Sequence, residues 1–206
     1  MSCPYENNYF CGLLSNASKY QLCTHCRVKK YVRGQILPKT FWDNHVTLLL
    51  SGLMICRRPD GSEAAKAVTT GIASQGNLIS IGGLLKDCSE TPAAMDDCDF
   101  ICILDSTVAV FDPSCTAELF DSDIEFVKAV FANSIRFCCR GTAELMQYVG
   151  SKDAYSAVRY VVQYCRKHQL PQLTHEQISL ISNRSRPTVT ELLHTLTQNE
   201  PDLFLR

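Results

Sequence analysis

The sequence predicts an α+β protein: a sandwich or barrel of short strands, then one long helix, then a small helical region. Three observations predict it. Between residue 28 and about residue 118, short apolar runs alternate with turn sequences at regular spacing. From Ser122 to about Val149 the apolar period changes to that of a helix. From Thr174 to Leu196 two helical patterns flank a sharp turn at Asn183.

The elements follow in order. Tyr31 to Leu37 is a strand–turn–strand signal around Gly34. Val46 to Leu50 reads as a buried strand closed by Ser51-Gly52, and Leu53 to Cys56 as the next. Pro59-Asp-Gly-Ser62 is a strong turn sequence, followed by a return strand from Ala64 to Ala73 that ends at Ser74-Gln-Gly-Asn77. Phe100 to Leu104 and Thr107 to Phe111 are expected to form a final hairpin around Asp105-Ser106. In the helical stretch, Val127, Phe131, Ile135, Cys138, Thr142, Leu145 and Val149 fall on one stripe, and Phe126, Val130 and Phe137 lie off it. A helix apolar on more than one face needs more than one partner, and the economical pair is the strand domain and a second copy of the chain. Gly150 to Asp153 breaks the pattern, and a further helix is expected from about Ala154 to His168. The chain thus divides into a cysteine-containing segment at 1–27, a strand domain at 28–120, a dimerisation helix at 121–149 and a helical domain at 150–206.

In the last region Thr174 and Gln177 have capping-box spacing, so a helix starts there. Asn183 tolerates the left-handed backbone of a tight turn. Ser185 caps a second helix, and Pro187 is acceptable in its first turn. Val189, Leu192, Leu193 and Leu196 form its apolar stripe, leaving Arg186, Thr188, Thr190, Glu191 and His194 on the other face. Small polar side chains with an Arg at a helix start suit the edges of bases in a DNA major groove.

Those residues, Thr174 to Ile181 with Ser185 to Leu193, resemble the winged helix-turn-helix of the cyclic-AMP receptor protein/fumarate-nitrate regulator (Crp/Fnr) family. The resemblance covers almost the whole chain. It implies a cyclic-nucleotide-binding-like β-roll, a long dimerisation helix and a winged helix-turn-helix, here truncated. It further implies a homodimeric transcription regulator on double-stranded DNA, with RNA polymerase as a further partner. Arg186 matches the usual guanine-reading Arg; Pro187 and Glu191 replace the family's usual Glu and second Arg. Thr188, Thr190, Glu191 and His194 flank the reading position, and Thr174 and Ser185 stand where phosphates pass. Only Asn199 to Arg206 follows the second helix, enough for a turn and one strand of a wing.

Composition narrows the alternatives. The chain has 206 residues, 46% of them hydrophobic, and no 18-residue apolar run, so no membrane-spanning helix is expected. Met1 to Asn8 lacks the basic and apolar parts of a signal peptide, and a cytoplasmic location is expected. Net charge is −1, but residues 151–206 hold seven Lys/Arg against five Asp/Glu, a weak positive bias suited to DNA. No nucleophile–base pair, P-loop or dinucleotide fingerprint points to an enzyme.

Two effector chemistries bear on the strand domain and the segment before it. Family rolls that take a cyclic nucleotide hold the ribose with a Glu and the phosphate with an Arg. Gly76 to Gly83 keeps the glycines without the carboxylate, and from Leu84 through Phe100 the only basic residue is Lys86. A buried phosphate without an Arg is poorly compensated, so cyclic AMP is not expected. Twelve cysteines in a reducing compartment are mostly small hydrophobes. Cys23 and Cys26, with Cys3 and Cys11, have a spacing that admits an iron–sulfur cluster or zinc. With the wing truncated and the reading Glu lost, the alternative function is a ligand- or metal/redox-sensing regulatory module with weak or no DNA binding. Haem is disfavoured, since His45 alone lies in the strand domain and His25 just before it.

Overall fold

In a computed structural model, the described residues are 8–37, 44–59, 67–84, 98–150 and 153–204; for Pro59 and 138–140 only the backbone is described. Two short helices, α1 (Tyr9–Gly12) and α2 (Asn16–Thr24), lead into β1 (Cys26–Tyr31). Six strands follow: β2 (Val46–Ser51), β3 (Leu53–Pro59), β4 (Ala67–Ser74), β5 (Leu78–Ile81), β6 (Asp99–Cys102) and β7 (Ser106–Phe111). Helices α3 (Pro113–Ser122) and α4 (Ile124–Ser134) come next, then a π-helical segment at Ile135–Gly141 and α5 (Thr142–Tyr148). The chain closes with α6 (Ala154–Lys167), α7 (His175–Ser182), α8 (Arg186–Asn199) and a 3₁₀ turn at Pro201–Leu203.

The strands form two antiparallel sheets, β1-β7-β2-β5 and β4-β3-β6. Leu49, Met54, Ile79, Phe100, Val108 and Val110 fill the space between them. Alternate residues of the same strands point outward into two further cores. Leu48, Leu50, Ala109 and Phe111 meet Phe10, Leu119, Phe126 and Val130 of the flanking helices. Leu53, Ile55 and Ile72 meet Leu145, Val158, Val161, Ile178 and Ile181. Both faces of β2, an inner strand of its sheet, are thus covered, which explains why it reads as an unbroken apolar run rather than an alternating one.

The expected hairpin at Asp105-Ser106 does not form. β6 pairs with β3 in one sheet, and β7 pairs with β1 and β2 in the other. The chain changes sheet at Ile103–Asp105, and it does so again at Ser51-Gly52 between β2 and β3. These two corners touch: a Cβ on Gly52 would lie 2.6 Å from the Asp105 carbonyl oxygen, and its φ of +100° also requires glycine. The turn at 59–62 lies, beyond Pro59, outside the described residues.

The 121–149 helix is more divided than its sequence stripe suggests. Asp123 is extended and caps α4 through Glu125 N at 2.8 Å, so α3 ends as a separate helix that the periodicity does not reveal. The π segment then admits extra residues and rotates α5 relative to α4. Phe131 and Ile135 are 56% and 58% exposed, whereas Leu145 and Val149, expected on the same stripe, are buried. On the inner side Asn133 is fully buried; its amide accepts from Leu78 N at 2.8 Å and donates to Gly76 O at 2.7 Å, fixing the β4–β5 turn to α4. At the other end, no strand follows α8 among the described residues. The expected wing strand is replaced by the 3₁₀ turn, with Leu203 and Phe204 packed on the core, because Pro201 takes the first position of that turn.

Candidate nucleic-acid interface

The helical pair α7–α8 is built by its caps. Thr174 Oγ1 accepts from Gln177 N, and Gln177 Oε1 accepts from Thr174 N at 2.7 Å, closing a complete capping box. Asn183 ends α7 in the left-handed region at φ 55°. Ser185 caps α8 and its hydroxyl lies 2.7 Å from that of Thr188. Val189, Leu193 and Leu196 are buried, and Leu192 is half-buried. The far end of α8 is tied back to α6: Arg159 Nε and Nη2 donate to both Glu200 carboxylate oxygens at 2.7 to 2.9 Å, and Tyr155 Oη donates at 3.0 Å. The Arg159 hydrogen bonds hold the Glu200 carboxyl below its ordinary range.

The opposite face of α8 is open. Arg186, Thr190, Glu191 and His194 are exposed and Thr188 is half-buried. Thr190 Oγ1 donates to Arg186 O at 3.0 Å and lies 2.8 Å from His175 Nδ1, so the two helices also meet on this side. The two arginines of the turn diverge. Arg184 folds back, with Nη2 donating to Val149 O at 3.3 Å. Arg186 points outward, and among the described residues no hydrogen bond or ion pair takes its guanidinium. It lines an open cleft of about 570 Å³ together with Thr174, His175, Glu176 and Arg33. Arg33 comes from the turn after β1, where its N donates to Asp105 Oδ1 at 2.9 Å. No local sequence pattern marks Arg33 as a neighbour of α8; only the folding of the strand domain brings it there.

The pair is also docked on the strand domain. Asn183 Oδ1 accepts from Thr69 N at 2.9 Å, and Thr69 Oγ1 donates to Leu180 O at 2.7 Å. Gln177 Nε2 donates to Ile103 O at 2.6 Å, at the corner where the chain changes sheet. Asn183 and Gln177 therefore serve twice, once in local helix geometry and once in tertiary docking.

The N-terminal cysteines among the described residues lie on α1, α2 and β1. Cys11 is half-buried beside Asn8, whose Nδ2 donates to its sulfur at 3.2 Å. Cys23 is exposed at the end of α2, and Cys26 is half-buried in β1. Among the described residues no three His, Cys, Asp or Glu side chains are placed to share a metal ion. Cys3, the fourth of the expected ligands, lies outside the described residues. Of the stretch in which a phosphate-pairing Arg would stand, 85–97 lies outside the described residues. Gly82–Leu84 forms a 3₁₀ turn, and Ser80 donates to His45 O at 3.0 Å.

An antiparallel two-sheet roll, a divided central helix and a capped helix pair whose second helix has one open face make up the fold. The chain has the fold of the Crp/Fnr family of transcription regulators. A chain described as a Crp/Fnr transcriptional regulator from Eubacterium rectale matches with a TM-score of 0.62 at 12% identity, covering 90% of this chain and 84% of its own. FixK2 from Bradyrhizobium japonicum matches at 0.63 and 14% identity, covering 84% and 85%. The c-di-GMP-responsive global regulator CLP of Xanthomonas campestris matches at 0.65 and 10% identity, covering 90% and 93%. No protein-family model matches the chain, and no curated protein matches its sequence. No helix among the described residues is long and apolar enough to cross a membrane.

Proposed function

We propose that the chain is a homodimeric, sequence-specific DNA-binding transcription regulator whose roll does not take cyclic AMP. The observation that carries this reading is the outward position of Arg186 in the first turn of α8, on a helix whose other face is locked into the core. An Arg there has the donor geometry to bind one guanine bidentately, and Thr174 and Ser185 lie where backbone phosphates pass. Thr188, Thr190, Glu191 and His194 read or exclude the adjoining bases.

Dimerisation is supported by a second observation. Ile124, Phe131 and Ile135 are all more than half exposed and recur at helical spacing along α4 to the start of the π segment, and Met146 of α5 is exposed as well. A run of large apolar side chains in water is a surface awaiting a partner, and two-fold pairing of copies matches DNA half-sites one turn apart. Phe131→Glu should convert the dimer to monomer in sedimentation without lowering the helix content of the chain.

The function is tested by selecting duplexes from a randomised pool. Enrichment of a two-fold symmetric sequence is the expected result. Recovery of an unenriched pool, or no retained duplex, contradicts the reading.

A further inference from the structure

We propose that the junction of the β4–β5 turn, the π segment and α6 is a binding site for a small oxyanion, a phosphate or carboxylate group. A cavity of about 180 Å³ opens there, between Ser74 and Asn77 of the strand domain, Arg136 of the π segment, and Tyr164, Lys167 and His168 of α6. At roughly 30 Å³ per water it holds about six waters. Sites for drug-sized ligands are about 300–1,000 Å³, so the cavity is of a size to seat a single acidic group.

The charge around the cavity is positive. Arg136 and Lys167, both exposed and from different elements, line it, and among the described residues Glu144 is its one carboxylate. Lys167 and Arg136 both act on His168, whose imidazole is pushed below its ordinary range, first by burial and then by these two cations. Two cations against one carboxylate leave the lining with a net positive charge, and charge-assisted hydrogen bonds to an oxyanion are the strong kind. The neutral donors are already ordered. Tyr164 Oη donates to Ser74 Oγ at 3.1 Å, the same hydroxyl lies 3.4 Å from His168 Nδ1, and the Tyr164 and His168 rings pack at 4.2 Å. Arg136 is itself steadied over the Tyr9 ring, 4.1 Å from its centroid.

The position gives the site a consequence. Its walls belong to the strand domain, to the divided helix and to the first helix of the region that carries α7 and α8. An anion held there ties the three together. That consequence rests on the DNA-binding reading; anion binding itself does not.

The test is a titration of the full chain with sodium phosphate, and separately with sodium benzoate, at constant ionic strength against chloride, read by calorimetry and by the thermal midpoint. A saturable response to either is expected; phosphate alone identifies a phosphoryl ligand and benzoate alone an organic acid. Arg136→Gln and Lys167→Gln should each weaken binding roughly tenfold to a hundredfold. Glu144→Gln, which removes the opposing carboxylate, should tighten it, and Lys19→Gln on distant α2 should leave it unchanged. No saturable response to either anion, or equal binding by all variants, overturns the proposal. Duplex binding measured in the same samples separates the two readings: saturable anion binding by a chain that retains no duplex keeps the site and removes the DNA function.

Discussion

The two outer faces of the sandwich are covered by different kinds of structure. The β1-β7-β2-β5 face is sealed by α1 to α4, which follow or precede its strands closely in sequence. The β4-β3-β6 face is sealed by α5, α6 and the α7–α8 pair, which arrive from the far end of the chain. The first covering makes the strand domain a stable body. The second makes the surface of that body the seat of the α7–α8 pair. A disturbance of β4 or of the Ile103 corner therefore reaches α7 directly, through Thr69, Asn183 and Gln177.

Three substitutions sharpen this contrast. Phe126 is fully buried in the first covering and meets Phe10 edge-on, with ring centroids 6.4 Å apart. Phe126→Ala should cost about 3–5 kcal/mol in denaturant unfolding. At protein concentrations where the chain is monomeric, an equal loss from the exposed Phe131→Ala would mean that α4 faces the other way. Asn183→Ala removes a residue suited to the left-handed backbone and both hydrogen bonds to Thr69 (N at 2.9 Å, O at 3.3 Å). The expected cost is about 1–3 kcal/mol, with amide-exchange protection lost in α7 and β4 together rather than in α7 alone.

The smallest effect concerns His168 in the second covering. Its folded pKa lies below the ordinary value of 6.5, through burial first and then through Lys167 and Arg136. The folded state thus favours the neutral imidazole. The contribution is intact above the unfolded pKa and is lost as pH falls from about 6.5 through the lower folded value. His168→Gln should flatten the fall in stability across that window, measured by urea unfolding. An unchanged pH slope would place His168 in water rather than in the junction.

What the sequence makes legible is what neighbouring residues decide. Thr174 with Gln177, Asn183, and Ser185 before Pro187 specify the α7–α8 pair almost without the rest of the fold, because caps and turns are local interactions. The strand positions of β2, β3 and β7 are legible for the same reason. The hairpin expected at Asp105-Ser106 is not made, because a short link between two strands does not by itself make them pair. Their true partners are β3, β1 and β2, chosen by which face each strand buries. The stripe from Val127 to Val149 misleads in a similar way. Its spacing is regular, but a π segment between Ile135 and Gly141 turns the second half inward, and no spacing rule registers that insertion. Pro113 after Asp112 is a helix-start signal sufficient to mark α3; Asp112 caps it through Ser114 N at 2.9 Å. Arg33 beside Arg186 is out of reach of any local pattern.

The most direct test of the DNA function is fluorescence anisotropy of the selected duplex and of a random one, for the native chain and for Arg186→Ala, across a range of salt. The native chain should prefer its selected duplex, and Arg186→Ala should lose that preference by about 1–3 kcal/mol while keeping weak, salt-sensitive binding to both. An Arg186→Ala chain that discriminates between the duplexes as well as the native one would contradict the assignment of α8 as the helix that reads DNA.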